Sequence, residues 1–214
     1  MTYSQMIKYK PVLFGVFFGV IGFANSMVRG DMIDTGSLQA WETCAMCHGV
    51  DGNSHMAKFP KLAGQPYDYL AKQLRDFKMK RRKNDGGMMS GITEAKSMPE
   101  LLEAARYFSG LQAPEPSSNN AKVLKITKNL FERGDPTRGI PGCGQCHGVD
   151  PIIPRLQAQH ADYLEKQLSD FRNSRRMNDN NGVMQKIANA LTTKEIKNLA
   201  QYIARQARVL KSAP

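Results

Sequence analysis

Two five-residue stretches carry the residue types with chemistry in them: Cys44-Ala45-Met46-Cys47-His48 and Cys143-Gly144-Gln145-Cys146-His147. On a helix, two cysteines and a histidine at i, i+3 and i+4 stand above one another on a single face. Two thiols so placed can bond to the two vinyl groups of one haem while the imidazole reaches its iron, which is c-type haem attachment. A zinc site would require four ligands, and a thiol–disulfide redox pair has no use for the following histidine. All four cysteines of the chain fall inside these stretches, so none is left for a disulfide framework. The expectation is therefore two haem c groups, one on Cys44 and Cys47, the other on Cys143 and Cys146. His48 and His147 each supply one axial ligand to iron.

The ligand on the opposite face of each iron decides what the protein can do. Methionine opposite histidine raises the potential and closes the iron to substrates. Twelve methionines are present, and a methionine chosen at random is usually core filler. An internal repeat selects among them. Residues 59–77 laid on residues 153–171 give 11 identities in 19 positions, Arg81-Arg82 falls on Arg175-Arg176, and Asn84-Asp85 falls on Asn178-Asp179. With one extra residue in the second copy near Asn180 and Asn181, Met89 falls on Met184. Each stands eight residues before a helix-capping residue, Ser97 or Thr192. Met89 and Met184 are the expected ligands; Met88, opposite Val183, reads as a packing neighbour and is the alternative to Met89 in the first copy.

His55 and His160 compete, but neither has a histidine counterpart in the other copy, and both are expected at the solvent. Pro60 and Pro154 follow the two motifs, where a backbone carbonyl could accept the ring N–H of the axial histidine and tune the iron. A simple turn before a helix is the blander reading of the same prolines. For Arg81, Arg82, Arg175 and Arg176, pairing with haem propionates and a solvated basic face are both open.

These groups must be positioned by short helices. A stretch from Asp34 to Thr43 leads into the first motif, with Trp41 packing near the haem. Helical spacing of Leu70, Leu74 and Phe77 predicts a helix over 67–79. The glycine-rich run from Gly86 to Gly91 reads as a loop carrying Met88 and Met89. Ser97 with Glu100, and Thr192 with Glu195, are capping boxes that open the last helix of each copy. The composition of 112–120 is that of a linker, and a helix is expected over 121–133. The boundaries that follow are 27–111 for a first domain and 121–214 for a second.

Residues 1–26 read as a signal peptide: Lys8 and Lys10, thirteen apolar or glycine residues from Val12 to Ala24, then small residues at Ala24-Asn25-Ser26. An uncleaved N-terminal membrane anchor is the alternative. The net charge of +11 is uneven, with 16 basic against 9 acidic side chains over 112–214. No nucleic-acid module is evident, so a basic second half points to an acidic protein face or a lipid surface.

Motif, repeat and methionine positions together resemble the cytochrome c4 family. The order is CxxCH, Phe/Ile-Pro-Lys/Arg-Leu, Asp-Tyr-Leu-X-Lys-Gln-Leu-X-Asp-Phe, Arg-Arg-X-Asn-Asp, a methionine and a short final helix, over nearly all of 34–210. The resemblance implies an all-α chain of two tandem class I cytochrome c domains related by a pseudo-twofold, with the haem propionate edges near one another. It implies a periplasmic electron carrier between a donor, such as a quinol-oxidising complex, and a terminal oxidase or other acceptor. The rival readings are a dihaem enzyme (a peroxidase or an oxidoreductase of sulfur compounds) and a membrane-tethered subunit of a respiratory complex.

Overall fold

The first attachment motif ends a seven-residue helix, α1 (Glu42–His48), closed by Gly49 at a φ of 81°. The computed structural model describes residues 38–117, 125–148 and 150–208, all within one compact unit. The signal-peptide or anchor segment and part of the linker lie outside the described residues. Each half builds its own apolar core. In the first half α2 (Tyr67–Lys78) lies against α3 (Met88–Glu94) and α4 (Met98–Gly110), enclosing Cys44, Leu70, Ala104, Ala105 and Phe108. Ser97 and Glu100 close the predicted capping box at the start of α4.

After α5 (Lys125–Arg133) comes a hairpin of two short antiparallel strands, β1 (Gly134–Asp135) and β2 (Ile140–Pro141). Gly134 and Pro136 signal the end of a helix, and the structure adds the hairpin at that point. Gly134 is required by it: at a φ of +76° an added Cβ would lie 2.0 Å from the Ile140 carbonyl oxygen. The hairpin inserts Ile140 into the second core, beside Leu130, Phe131, Leu164, Ile196, Leu199 and Ile203. That core is completed by α6 (Cys143–Cys146), α7 (Ala161–Arg172), α8 (Val183–Ala190) and α9 (Thr193–Ala204), the last opened by the Thr192–Glu195 capping box. The molecule is mostly helical, as expected.

The two methionine segments differ from expectation. The run from Met88 is a helix, α3, and Met184 likewise stands in the first turn of α8. The glycines suggested loops, but their left-handed geometry ends before the helices: Gly86 (φ 72°) leads into Gly87 (φ 87°), and Gly87 and Gly182 (φ 69°) each stand immediately before a helix. These last two glycines are 95 residues apart, the same offset that pairs Met89 with Met184. The extra residue of the second copy is absorbed at Asn181, whose φ is 54°.

Between the halves the contacts are polar and reciprocal. The side chain of Gln65 donates to the Arg155 carbonyl and accepts the Arg155 N–H, at 2.8 and 2.9 Å. Gln159 does the same with Lys61, at 2.9 Å for both bonds. Such exchanged pairs are what a twofold relation between repeats produces.

Candidate functional site

The helical spacing of the first motif brings Cys44, Cys47 and His48 into the wall of a large cavity, and Cys143, Cys146 and His147 reach the same cavity from the other half. Its volume is about 1060 Å³. Most of its lining is apolar, including Leu70, Leu74, Phe108, Ile140, Leu164 and Ile203. Single-ligand pockets usually span about 300–1,000 Å³, so this one has room for large planar groups.

Both histidines are buried and held at one nitrogen. His48 Nδ1 lies 2.8 Å from the Pro60 carbonyl oxygen, and His147 Nδ1 lies 2.9 Å from that of Pro154. A carbonyl only accepts, so each Nδ1 carries the proton and donates, which leaves Nε2 as a bare lone pair. Burial lowers both imidazole pKa values, the carbonyl bond offsetting this in part, so the rings stay neutral at physiological pH. A neutral imidazole with a free Nε2 is the form that binds a metal.

Burial also pushes up the thiols of the first cysteine in each motif, Cys143 to about 11. Reactive redox cysteines have lowered pKa values. Among the described residues, no cluster of three histidines, cysteines or carboxylates could hold a metal ion. The zinc and thiol-redox readings therefore find no support in the geometry.

Met89 and Met184 both line the cavity and are half-buried. Met89 is anchored through its backbone: its N–H donates to an Asp85 carboxylate oxygen at 2.5 Å and its carbonyl accepts from Thr93 Oγ1 at 2.8 Å. In the second half Asp179 caps one residue further on, accepting from Gln185 N–H at 3.1 Å. Met88 also touches the cavity but is 39 % exposed.

One expectation about neighbouring residues is corrected. His160 is half-buried rather than at the solvent, and its Nε2 lies 2.8 Å from the Ser54 carbonyl oxygen of the other half. His55 is exposed as expected. Trp41 stacks on Tyr107, ring centroids 4.0 Å apart, and packs as expected against the core that holds Cys44, behind the cavity walls.

The arginine pairs divide. Arg81 and Arg175 are surface residues bound to Asp76 and Asp170, each through Nε at 2.8 Å. Arg82 and Arg176 are buried and line the cavity. Arg82 donates to Asn84, Gln73, Tyr163 and Gln167, and Arg176 to Asn178, Gln167 and Gln73, all of them neutral groups. Among the described residues neither has a carboxylate within ion-pair distance. A buried charge without a counter-charge costs several kcal/mol, so anions belong beside these guanidiniums. A haem carries two propionates. Cavity size, apolar walls, paired cysteines, neutral histidines and unneutralised arginines all fit that group. The repeat held the signal for the arginines: Tyr69/Tyr163, Gln73/Gln167 and Arg82/Arg176 are identical pairs.

Comparison with known proteins points the same way. A family model described as Cytochrome c matches residues 33–105 and 127–207. Cytochrome c4 of Thiocapsa roseopersicina is 37 % identical over 175 residues, covering 78 % of this chain and 89 % of the relative. A thiosulfate dehydrogenase electron acceptor of Thiomonas intermedia is 34 % identical over 173 residues, covering 77 % of this chain and 78 % of the relative. The crystal structure of reduced recombinant cytochrome c4 from Pseudomonas stutzeri matches with a TM-score of 0.69 at 37 % identity, over 77 % of this chain and 94 % of that one.

Proposed function

The chain belongs to the cytochrome c family, as a dihaem electron-transfer cytochrome of the cytochrome c4 kind with two haem c groups, and from that premise we propose a periplasmic carrier that performs no bond chemistry on a substrate. One observation carries the reading. Each half brings into one cavity a neutral histidine fixed by a proline carbonyl and a methionine from the first turn of a helix. A bound haem supplies a one-electron couple at its iron. His48 and Met89 hold one iron, His147 and Met184 the other, while Cys44, Cys47, Cys143 and Cys146 anchor the two rings. The Pro60 and Pro154 carbonyls hold the imidazole planes and strengthen the histidines as donors. The thioether ligands and the apolar walls favour the less charged, reduced state.

The test is carbon monoxide added to the fully reduced protein. Carbon monoxide needs a free or weakly held iron position, so the visible spectrum is expected not to change. Rapid binding at one haem would mean an open site and would bring forward the dihaem enzyme.

For partners, we infer a respiratory donor and a terminal oxidase or other acceptor with an acidic face. The excess of 16 basic over 9 acidic side chains in 112–214 supports docking through the second half. Electrostatic steering mainly raises the on-rate. The bimolecular rate of electron transfer to an acidic partner is therefore expected to fall by about tenfold or more as ionic strength rises from about 0.01 to 0.15 M, as the Debye length shortens from about 30 to 8 Å. Stopped-flow mixing reads this, and a flat salt profile removes the docking idea. The similarity to the Thiomonas intermedia acceptor favours a second reading of the donor alone, an enzyme that oxidises thiosulfate.

A further inference from the structure

The buried arginines do more than neutralise propionates. Arg82 donates Nη1 to Gln73 Oε1 of its own half at 2.8 Å, and Nη2 to Gln167 Oε1 and the Tyr163 hydroxyl of the other half, both at 3.0 Å. Arg176 mirrors it, with Gln167 at 2.8 Å and Gln73 at 3.1 Å. Each guanidinium also lies over an aromatic ring of its own half, Phe77 at 4.5 Å and Phe171 at 4.6 Å. Ring contact and hydrogen bonds together fix both planar groups, and burial keeps water from screening them. Each glutamine oxygen accepts from the arginines of both halves, so neither charge belongs to one half.

We propose that Arg82 and Arg176 form one fixed pair of charges common to both haem centres, so that each arginine sets the reduction potential of both irons. A positive charge favours the reduced iron, which carries one positive charge fewer. Its loss must therefore lower a potential, and a charge held between the two halves must lower two. The pair makes the two centres an electrostatic unit, and their potentials shift together when the junction between the halves changes. This rests on both irons being closed by histidine and methionine.

The experiment is a redox titration of the full-length, haem-loaded protein, each centre followed by its own haem methyl resonances in proton NMR. In Arg82→Gln both midpoint potentials are expected to fall, by amounts within a factor of about two of each other. Lys83→Gln removes an equal charge one residue away, at the surface, and both potentials are expected to hold. A fall at one haem only, no fall at either, or an equal fall in Lys83→Gln overturns the proposal. Should Arg82→Gln fail to assemble, Arg82→Lys carries the test. The charge stays, but one nitrogen no longer spans both glutamines, so the potential in the second half falls while that in the first holds. Unchanged potentials in Arg82→Lys overturn it as well. Carbon monoxide binding by the unaltered protein would fail the ligand reading before any variant is made. A closed wild-type spectrum with a one-sided shift in Arg82→Gln fails the coupling alone.

Discussion

Replacing Met184 with alanine is expected to open the second haem to carbon monoxide and to lower its potential by on the order of 0.1–0.3 V, a fraction of the roughly 0.8 V that axial ligands span. The first haem should keep its spectrum, because its own methionine stands in the other half on α3. Met184 occupies the first turn of α8, behind the left-handed Gly182, and no other methionine is among the walls the second half contributes to the cavity. The alanine variant therefore leaves nothing soft to replace the thioether. The same experiment separates Met88 from Met89. Met89, tied by Asp85 and Thr93, should behave like Met184 when truncated, whereas Met88→Ala should leave the first haem closed. Visible difference spectra of the reduced variants under carbon monoxide read all three. If Met184→Ala neither binds carbon monoxide nor changes its potential, another residue holds that iron.

Much of this site was open to inspection in the sequence because it is local. Cysteine and histidine within five residues, a capping box within four and an amphipathic helix within twelve are all governed by neighbours along the chain, and each was found where expected. The repeat then extended that local reading to the methionines. What the local pattern does not carry depends on residues far apart. Arg82 meets Tyr163 across 81 positions, and Arg176 meets Gln73 across 103. Nothing near Arg82 distinguishes it from Arg81, yet one is enclosed and the other faces water. His160 looked like a surface residue for the same reason, its partner being the Ser54 carbonyl of the other half. The helices under Met89 and Met184 were hidden by glycines, whose low helix propensity is outweighed once α3 packs against α2 and α8 against α7. Gly91 lies inside α3 and is tolerated there.

A polar junction of this kind is a hazard unless every group is satisfied, since half-satisfied buried networks are worse than apolar ones. Around Gln73 and Gln167 the carboxylates of Asp76 and Asp170 supply the acceptors. Asp76 accepts from Lys72 Nζ at 2.5 Å, Arg81 Nε at 2.8 Å and, from the other half, Asn178 Nδ2 at 2.8 Å. Lys72 reaches on to the Asn178 carbonyl at 2.7 Å. Asp170 repeats the arrangement with Lys166, Arg175 and Asn84. The two carboxylates are thus the acceptors that join each α2-type helix to the segment after the other.

The second large effect is therefore expected from Asp76→Asn, which keeps the shape but turns an acceptor with three donors into a group that must itself donate. Leaving charged donors without an acceptor in a buried site costs about 2–4 kcal/mol. For a protein of this size that lowers the melting temperature by roughly 5–15 °C. The effect has a definite pH dependence. Burial raises the Asp76 pKa, but hydrogen bonds from Lys72, Asn178 and Arg81 outweigh it and hold the carboxyl below its ordinary 3.8. A depressed folded-state pKa contributes stability above the unfolded value, and that stability is lost as pH falls through the folded one. The gap between wild type and Asp76→Asn should therefore stay constant from about pH 5 upward and close as the pH drops below the carboxylate range. Thermal melts of both proteins across that range read the result. A gap that persists unchanged in acid would mean that the asparagine acts through packing alone, and the carboxylate would lose its place as the bond between the halves.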